Sequence, residues 1–278
     1  MVFSKSLLKI FTQEVENELC VKVESQKNRF PSGNRLLSRF RKLTSDLLDN
    51  GNQPYEETQW RSLIECHNEI CVAYQILFQQ NEPRCMKLEY ELKNDNTEKR
   101  IDFHATFDSK EAMWIEVKTI HPEEMNESDQ KNWHQYQVNQ QYFPPRTELI
   151  IFQDTGGANI WHDKFAARNR MLEYSLEFEK RINESAISED DICVLALVGN
   201  GYDWRLDELE DFVTFYQTGK HFPGDIFQKM ENYYIQKNNV RLSKRINHFA
   251  YFKRPESSVK PELVIWNVKH PRWPFAKE

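Results

Sequence analysis

Glycine is scarce in this chain, 8 of 278 residues, and none of it is arranged to hold a phosphate. Gly156-Gly157 and Gly199-Asn200-Gly201 lack the spacing and the lysine of a nucleotide-cradling loop, so they read as turns. A G-x-S-x-G elbow is also missing, which removes the hydrolase arrangement built on that turn. The five cysteines are an odd number without C-x-x-C spacing, and Cys66-His67 with Cys71 makes a poor zinc cage. They read as reduced thiols, several of them in the core. No apolar run approaches the roughly 20 residues that span a bilayer. Met1 to Leu8 show no long apolar stretch with a small-residue cleavage site, so a cytoplasmic protein is expected. Proline- or glycine-rich linkers and solenoid-period repeats are absent too, which points to one domain.

What is present is an alternation of helical and strand patterns. Residues 1 to 20 and 34 to 50 read as helices, separated by a turn at Phe30-Pro31-Ser32-Gly33-Asn34. A long helix is expected over Glu56 to Gln80, and Met86 to Leu92 reads as a strand. Further on, Leu149 to Phe152 suggests a strand, Asp163 to Ile182 a helix and Arg205 to Tyr216 another. Ile192 to Val198 is an unbroken apolar run, as expected of a strand buried on both faces. His248 to Lys253 and Glu262 to Val268 look like strands. The polar segment 121 to 143 is a short helix or a loop; its Trp133, Tyr136, Tyr142 and Phe143 could stack on bases or simply pack.

Chemistry concentrates in Arg100 to Phe107 and Met113 to Thr119, two period-two strands joined by the polar turn Asp108 to Glu111. Alternation places Glu116 and Lys118 on one face and Met113, Ile115 and Val117 on the other. On the partner strand Asp102 points with His104 and Thr106. Two acids and a lysine thus converge on one side of a hairpin, a set that suits metal-assisted phosphodiester hydrolysis. The plainer alternative is a solvated polar face whose ion pair is worth little. Two close carboxylates repel, so in the absence of metal the loss of either is expected to stabilise the fold slightly.

Asp102, thirteen intervening residues and then Glu116-Val117-Lys118 resemble the PD-(D/E)xK nuclease superfamily, the restriction-endonuclease-like fold. Members place an acid at the start of the second core strand and E-x-K in the third, often with a further acid on the helix before the first strand. Here the long helix carries Glu65 and Glu69 one turn apart, so residues 56 to 119 follow the family order over about a quarter of the chain. The leading proline is missing; Arg100-Ile101 stands in its place. The glutamine-and-tyrosine motif of some exonuclease branches is not matched by Gln137 and Tyr142.

The resemblance implies an α/β domain over 1–278 with a mixed central sheet flanked by helices. The core would span about 56–200, with a helical N-terminal addition over 1–50 and a C-terminal addition over 205–278. It implies Mg²⁺ or Mn²⁺ held by Asp102, Glu116 and the carbonyl of Val117. Glu69, or Glu65 one turn earlier, would touch the ion through water or recruit a second. Lys118 would orient the attacking water. The implied activity is a DNA endonuclease of restriction or defence type, with double-stranded DNA as partner, a homodimer left open and no membrane. A non-catalytic member of the fold that binds nucleic acid or a protein, or an RNA endonuclease, are the alternatives.

A net charge of −6 weighs against a nucleic-acid partner, but the charge is unevenly placed. Residues 27 to 42 hold Lys27, Arg29, Arg35, Arg39, Arg41 and Lys42 and no acid. Residues 237 to 254 hold Lys237, Arg241, Lys244, Arg245, Lys253 and Arg254, again without an acid. Such segments could wall a phosphate-tracking cleft through Arg35, Arg39, Arg41, Arg241, Lys244 and Arg245, or be ordinary surface.

Overall fold

The apolar run near residue 195 shows how the chain is layered. Along strand β4 (Ile192–Gly199), Ile192, Val194, Ala196 and Val198 enter one hydrophobic core while Cys193, Leu195 and Leu197 enter another. Alternation on a strand buried on both sides requires this split. The computed structural model describes residues 5–49, 57–78, 83–93, 100–119, 167–185, 187–199, 206–218, 242–253 and 262–267. The expected strand over Leu149–Phe152, the segment 121 to 143 with its aromatics, and Arg241 lie outside the described residues.

Six strands form one mixed sheet in the order β1 to β6: β1 (Cys85–Lys93), β2 (Arg100–Phe107), β3 (Ala112–Thr119), β4, β5 (His248–Lys253) and β6 (Glu262–Asn267). The first three are an antiparallel meander, β3–β4 and β4–β5 are parallel, and β6 returns antiparallel. The two parallel joints enclose helices α5 (Ala167–Glu184) and α6 (Leu206–Thr218), as crossover connections demand. Both belong to the second core, on one face of the sheet. The other face is covered by α1 (Lys5–Val15), α3 (Gly33–Asp49) and α4 (Glu57–Phe78). This is the mixed sheet flanked by helices that the sequence led us to expect.

Three details differ from the expected elements. The first helix does not stop at residue 20; it passes through a π-helical segment, Glu16–Cys20, into α2 (Val21–Ser25). The widened turn keeps Val15, Leu19, Cys20 and Val23 in the core. Second, α3 begins at Gly33, inside the expected turn, and the position needs glycine: a Cβ there would lie 2.5 Å from the Phe30 ring. Third, the 29–32 turn lies along β1, with Leu88 N–H donating to the Arg29 carbonyl at 2.7 Å and Tyr90 N–H to Ser32 Oγ at 2.8 Å. All five cysteines are free and buried. Among the described residues no helix is long and apolar enough to cross a membrane.

Candidate active site at the fork of strands β2 and β3

The hairpin pairs Phe103 with Ile115 and His104 with Trp114, a register that brings Asp102 opposite Glu116 when continued by one residue. Backbone pairing stops there. Past the stop, the Val117 N–H donates to Asp102 Oδ2 at 2.7 Å, so a side chain supplies the acceptor that the diverging strand no longer offers. Met113, Ile115 and Val117 are buried on the α4 side, as the period-two reading requires. Glu116 and Lys118 therefore share the opposite face, and Asp102 is tied to their strand through the Val117 N–H.

That face is not solvated. Glu116 is 1% exposed, because α5 lies over it. Tyr174 and Arg181 stand seven residues apart on α5, a helical rise of about 10.5 Å. Thr119 and Glu116 are three apart on β3, about 10 Å. The two spacings match: Tyr174 Oη donates to the Thr119 carbonyl at 3.3 Å, and Arg181 pairs with Glu116 Oε1. Lys118 Nζ reaches the same Oε1 at 2.9 Å and lies 5.6 Å from the centre of the Tyr174 ring. Both cations thus crowd one oxygen, while the buried Glu116 Oε2 has no hydrogen-bond partner among the described residues.

The charges speak to one another. Burial raises the Asp102 carboxyl well above the usual range, and the carboxylates of Glu116 and Glu69 push it further; the Val117 N–H and Lys118 only partly oppose them. Lys118 is itself buried against its charge, yet Glu116 overcomes this and leaves its ammonium above the ordinary value. Glu69 is likewise raised by burial, partly offset by Arg39 and Tyr90. Its two oxygens lie 3.1 Å from Arg39 Nη1, and Tyr90 Oη donates to Oε2 at 2.6 Å. Glu69, and not Glu65, is the helix acid whose charge reaches Asp102. Burial raises the Cys66 thiol, with Glu69 and, more weakly, the half-buried Glu65 one turn back adding to it.

Would a divalent ion fit? Among the described residues no three His, Cys, Asp or Glu side chains gather closely enough to cage one. Two carboxylates are offered, with the Val117 carbonyl between the motif residues. Hard oxygen donors completed by water suit Mg²⁺, and the orphaned Glu116 Oε2 is the atom such an ion would satisfy. Glu69, already bonded to Arg39 and Tyr90, could contribute only through water.

Arg181 was missed by sequence reasoning. The available signal was its place on a crossover helix, at the edge of the apolar stripe Leu172, Leu176, Phe178 and Ile182. Its presence reverses one expectation: losing Glu116 would leave Lys118 and Arg181 facing each other, which destabilises the fold.

Among the described residues, Arg35, Arg39, Arg41, Lys244 and Arg245 are engaged internally. Arg35 donates to the Tyr90 carbonyl, Arg39 forks onto Glu69, and Arg41 bonds Glu16 at 2.6 Å and Glu24 at 2.9 Å. In the second segment Lys244 Nζ donates to the Gln217 carbonyl at 3.1 Å, and Arg245 to the carbonyls of Ile187 and Ser188. The backbone of that segment is anchored on buried Glu179 of α5. Its carboxylate accepts from Ser243 N–H, from Arg245 N–H at 3.1 Å and from Tyr216 Oη. Lys244, with φ of 56°, takes the left-handed turn that aims both N–H groups at one carboxylate. Set against known family models, curated proteins and solved structures, the chain matches none of them.

Proposed function

We propose that this protein is a divalent-metal-dependent nuclease of the PD-(D/E)xK kind, with a restriction-endonuclease-like core and DNA as its substrate. The observation that carries the reading is the buried Glu116 Oε2, without a hydrogen-bond partner among the described residues, one register step past the Phe103–Ile115 pair from Asp102 and beside Lys118. An acceptor left unsatisfied in the interior costs roughly 1–3 kcal/mol, and a cation is what two adjacent carboxylates would take up.

Asp102, Glu116 and the Val117 carbonyl would hold Mg²⁺ or Mn²⁺, with Glu69 in support through water. When bound, the ion would offset charge on the scissile phosphate and lower the pKa of a coordinated water. The Val117 N–H fixes the Asp102 carboxylate at the fork, so one ligand is held by the backbone that carries the other. Lys118, kept charged by Glu116, would donate a hydrogen bond to the attacking water or to a phosphate oxygen as negative charge grows there. The ring of Tyr174 confines its stem. Cation and carboxylate also balance: Asp102, Glu116 and Glu69 stand against Lys118, Arg181 and Arg39, so a bound dication leaves a positive surplus suited to a phosphodiester.

The same balance supports a second reading, a non-catalytic member in which the ion pairs serve only stability. Incubating the full chain with supercoiled plasmid and, in parallel, single-stranded RNA, each with Mg²⁺ or Mn²⁺, separates them. Nicking of plasmid that disappears in Glu116→Gln is the expected result, RNA cleavage alone would reassign the substrate, and inert protein in every arm would favour the second reading.

A further inference from the structure

The arrangement at Glu116 is lopsided. Two cations share Oε1, although spreading them over both oxygens would satisfy both. Lys118 is held on its own strand, under the Tyr174 ring and within the field of Asp102. Arg181 comes from a different element and has the longer side chain, while the two cations are about equally exposed, 23% and 21%. If a divalent ion occupies the Glu116 carboxylate, a dication, an ammonium and a guanidinium cannot all stay on it, and Arg181 is the one able to leave. Once released it sits at the mouth of the site as a planar five-donor fork, the geometry that matches two oxygens of a phosphate.

We infer that Arg181 is a counter-ion held on Glu116 in the metal-free protein and released by the metal to bind a phosphate of the substrate. This rests on the nuclease reading, since it needs a divalent ion at Glu116. It makes metal and nucleic-acid affinity reciprocal: each ion bound frees a phosphate contact, and each phosphate bound removes a competitor from the metal site.

Calorimetric titration of Mn²⁺ into the full-length wild type, Arg181→Gln, Arg181→Lys and Glu116→Gln tests the first half. Fluorescence anisotropy of a short labelled duplex with and without Ca²⁺ tests the second. Arg181→Gln should bind Mn²⁺ about tenfold more tightly than wild type, the reverse of what loss of a merely structural residue would do. It should lose most of the gain in duplex affinity that Ca²⁺ gives the wild type. Arg181→Lys, which keeps the charge without the fork, should leave Mn²⁺ affinity near wild type and still weaken duplex binding. Unaltered Mn²⁺ affinity in a folded Arg181→Gln, with Glu116→Gln weakened, overturns this inference and leaves the nuclease reading standing. Equal Mn²⁺ binding by wild type and Glu116→Gln, or none by either, removes the metal site and the inference with it.

Discussion

Among the described residues Glu116 and Glu179 are the most deeply buried glutamates, and helix α5 meets both. Glu179, on the helix, is surrounded by neutral donors: two backbone N–H groups and a phenol divide its two oxygens among them. Glu116, beneath the same helix two residues further on at Arg181, is met by two full positive charges on one oxygen and by nothing on the other. A carboxylate that only has to hold a chain in place is satisfied by dipoles fixed in the fold. One kept for a mobile partner has to be balanced by charges that can move, and an oxygen has to stay free. Under the proposed function this contrast marks Glu116, and not Glu179, as the carboxylate open to a metal ion, although both are glutamates at similar depth.

The sharpest way to test the contrast is to remove the closed centre. Glu179→Ala orphans three donors and should destabilise by about 5 kcal/mol, read from chemical denaturation, with no dependence on divalent ions. A small or metal-dependent loss would erase the distinction. Next in size, Lys118→Ala should lower plasmid cleavage about a thousandfold while duplex binding is retained, because its proposed role lies in the transition state. Cleavage at the wild-type rate would leave the E-x-K spacing without meaning.

Asp102→Asn probes the open centre through pH and not through activity. The wild-type carboxyl is raised by burial and by its like-charged neighbours, so the folded state holds that proton more tightly than the unfolded chain. Its favourable contribution is full below the ordinary carboxyl range and is lost as pH rises through the raised folded value. The amide keeps an acceptor for Val117 N–H and carries no charge, so metal-free Asp102→Asn should be more stable than wild type near neutral pH, on the order of 1 kcal/mol. The advantage should vanish in acid. A variant less stable at neutral pH would mean that the carboxylates do not repel. The smallest effect belongs to Arg41, which Glu16 and Glu24 satisfy as completely as Glu179 is satisfied. Arg41→Gln should change the slope of log duplex affinity against log salt by less than about one unit.

Much of this was written in the local pattern. Alternation alone set Glu116 and Lys118 on one face, and the apolar run of β4 revealed two-sided burial. The burial of Glu69 beside Ile70, Ala73 and Leu77 was foreshadowed by the apolar residues that follow it. What stayed hidden has a physical reason. Arg35 and Arg245 spend their donors on main-chain carbonyls, and every residue carries a carbonyl, so no pattern of side chains marks the acceptor. Arg181 lies 65 residues from Glu116, and only the crossover that returns α5 across the sheet brings them together. Arg35 and Arg181 look like ordinary helix surface in one dimension.

The turn at residues 29–32 has a consequence for how copies of this chain could meet. A sheet with an open border can be extended by a strand from another molecule, through backbone hydrogen bonds that need no particular side chains. On β1 that border is already occupied: Arg29 and Ser32 accept from Leu88 and Tyr90, and Arg35 covers the Tyr90 carbonyl. Pairing between copies through β1 would have to strip these bonds first, so a homodimer built on a continuous sheet across β1 is disfavoured.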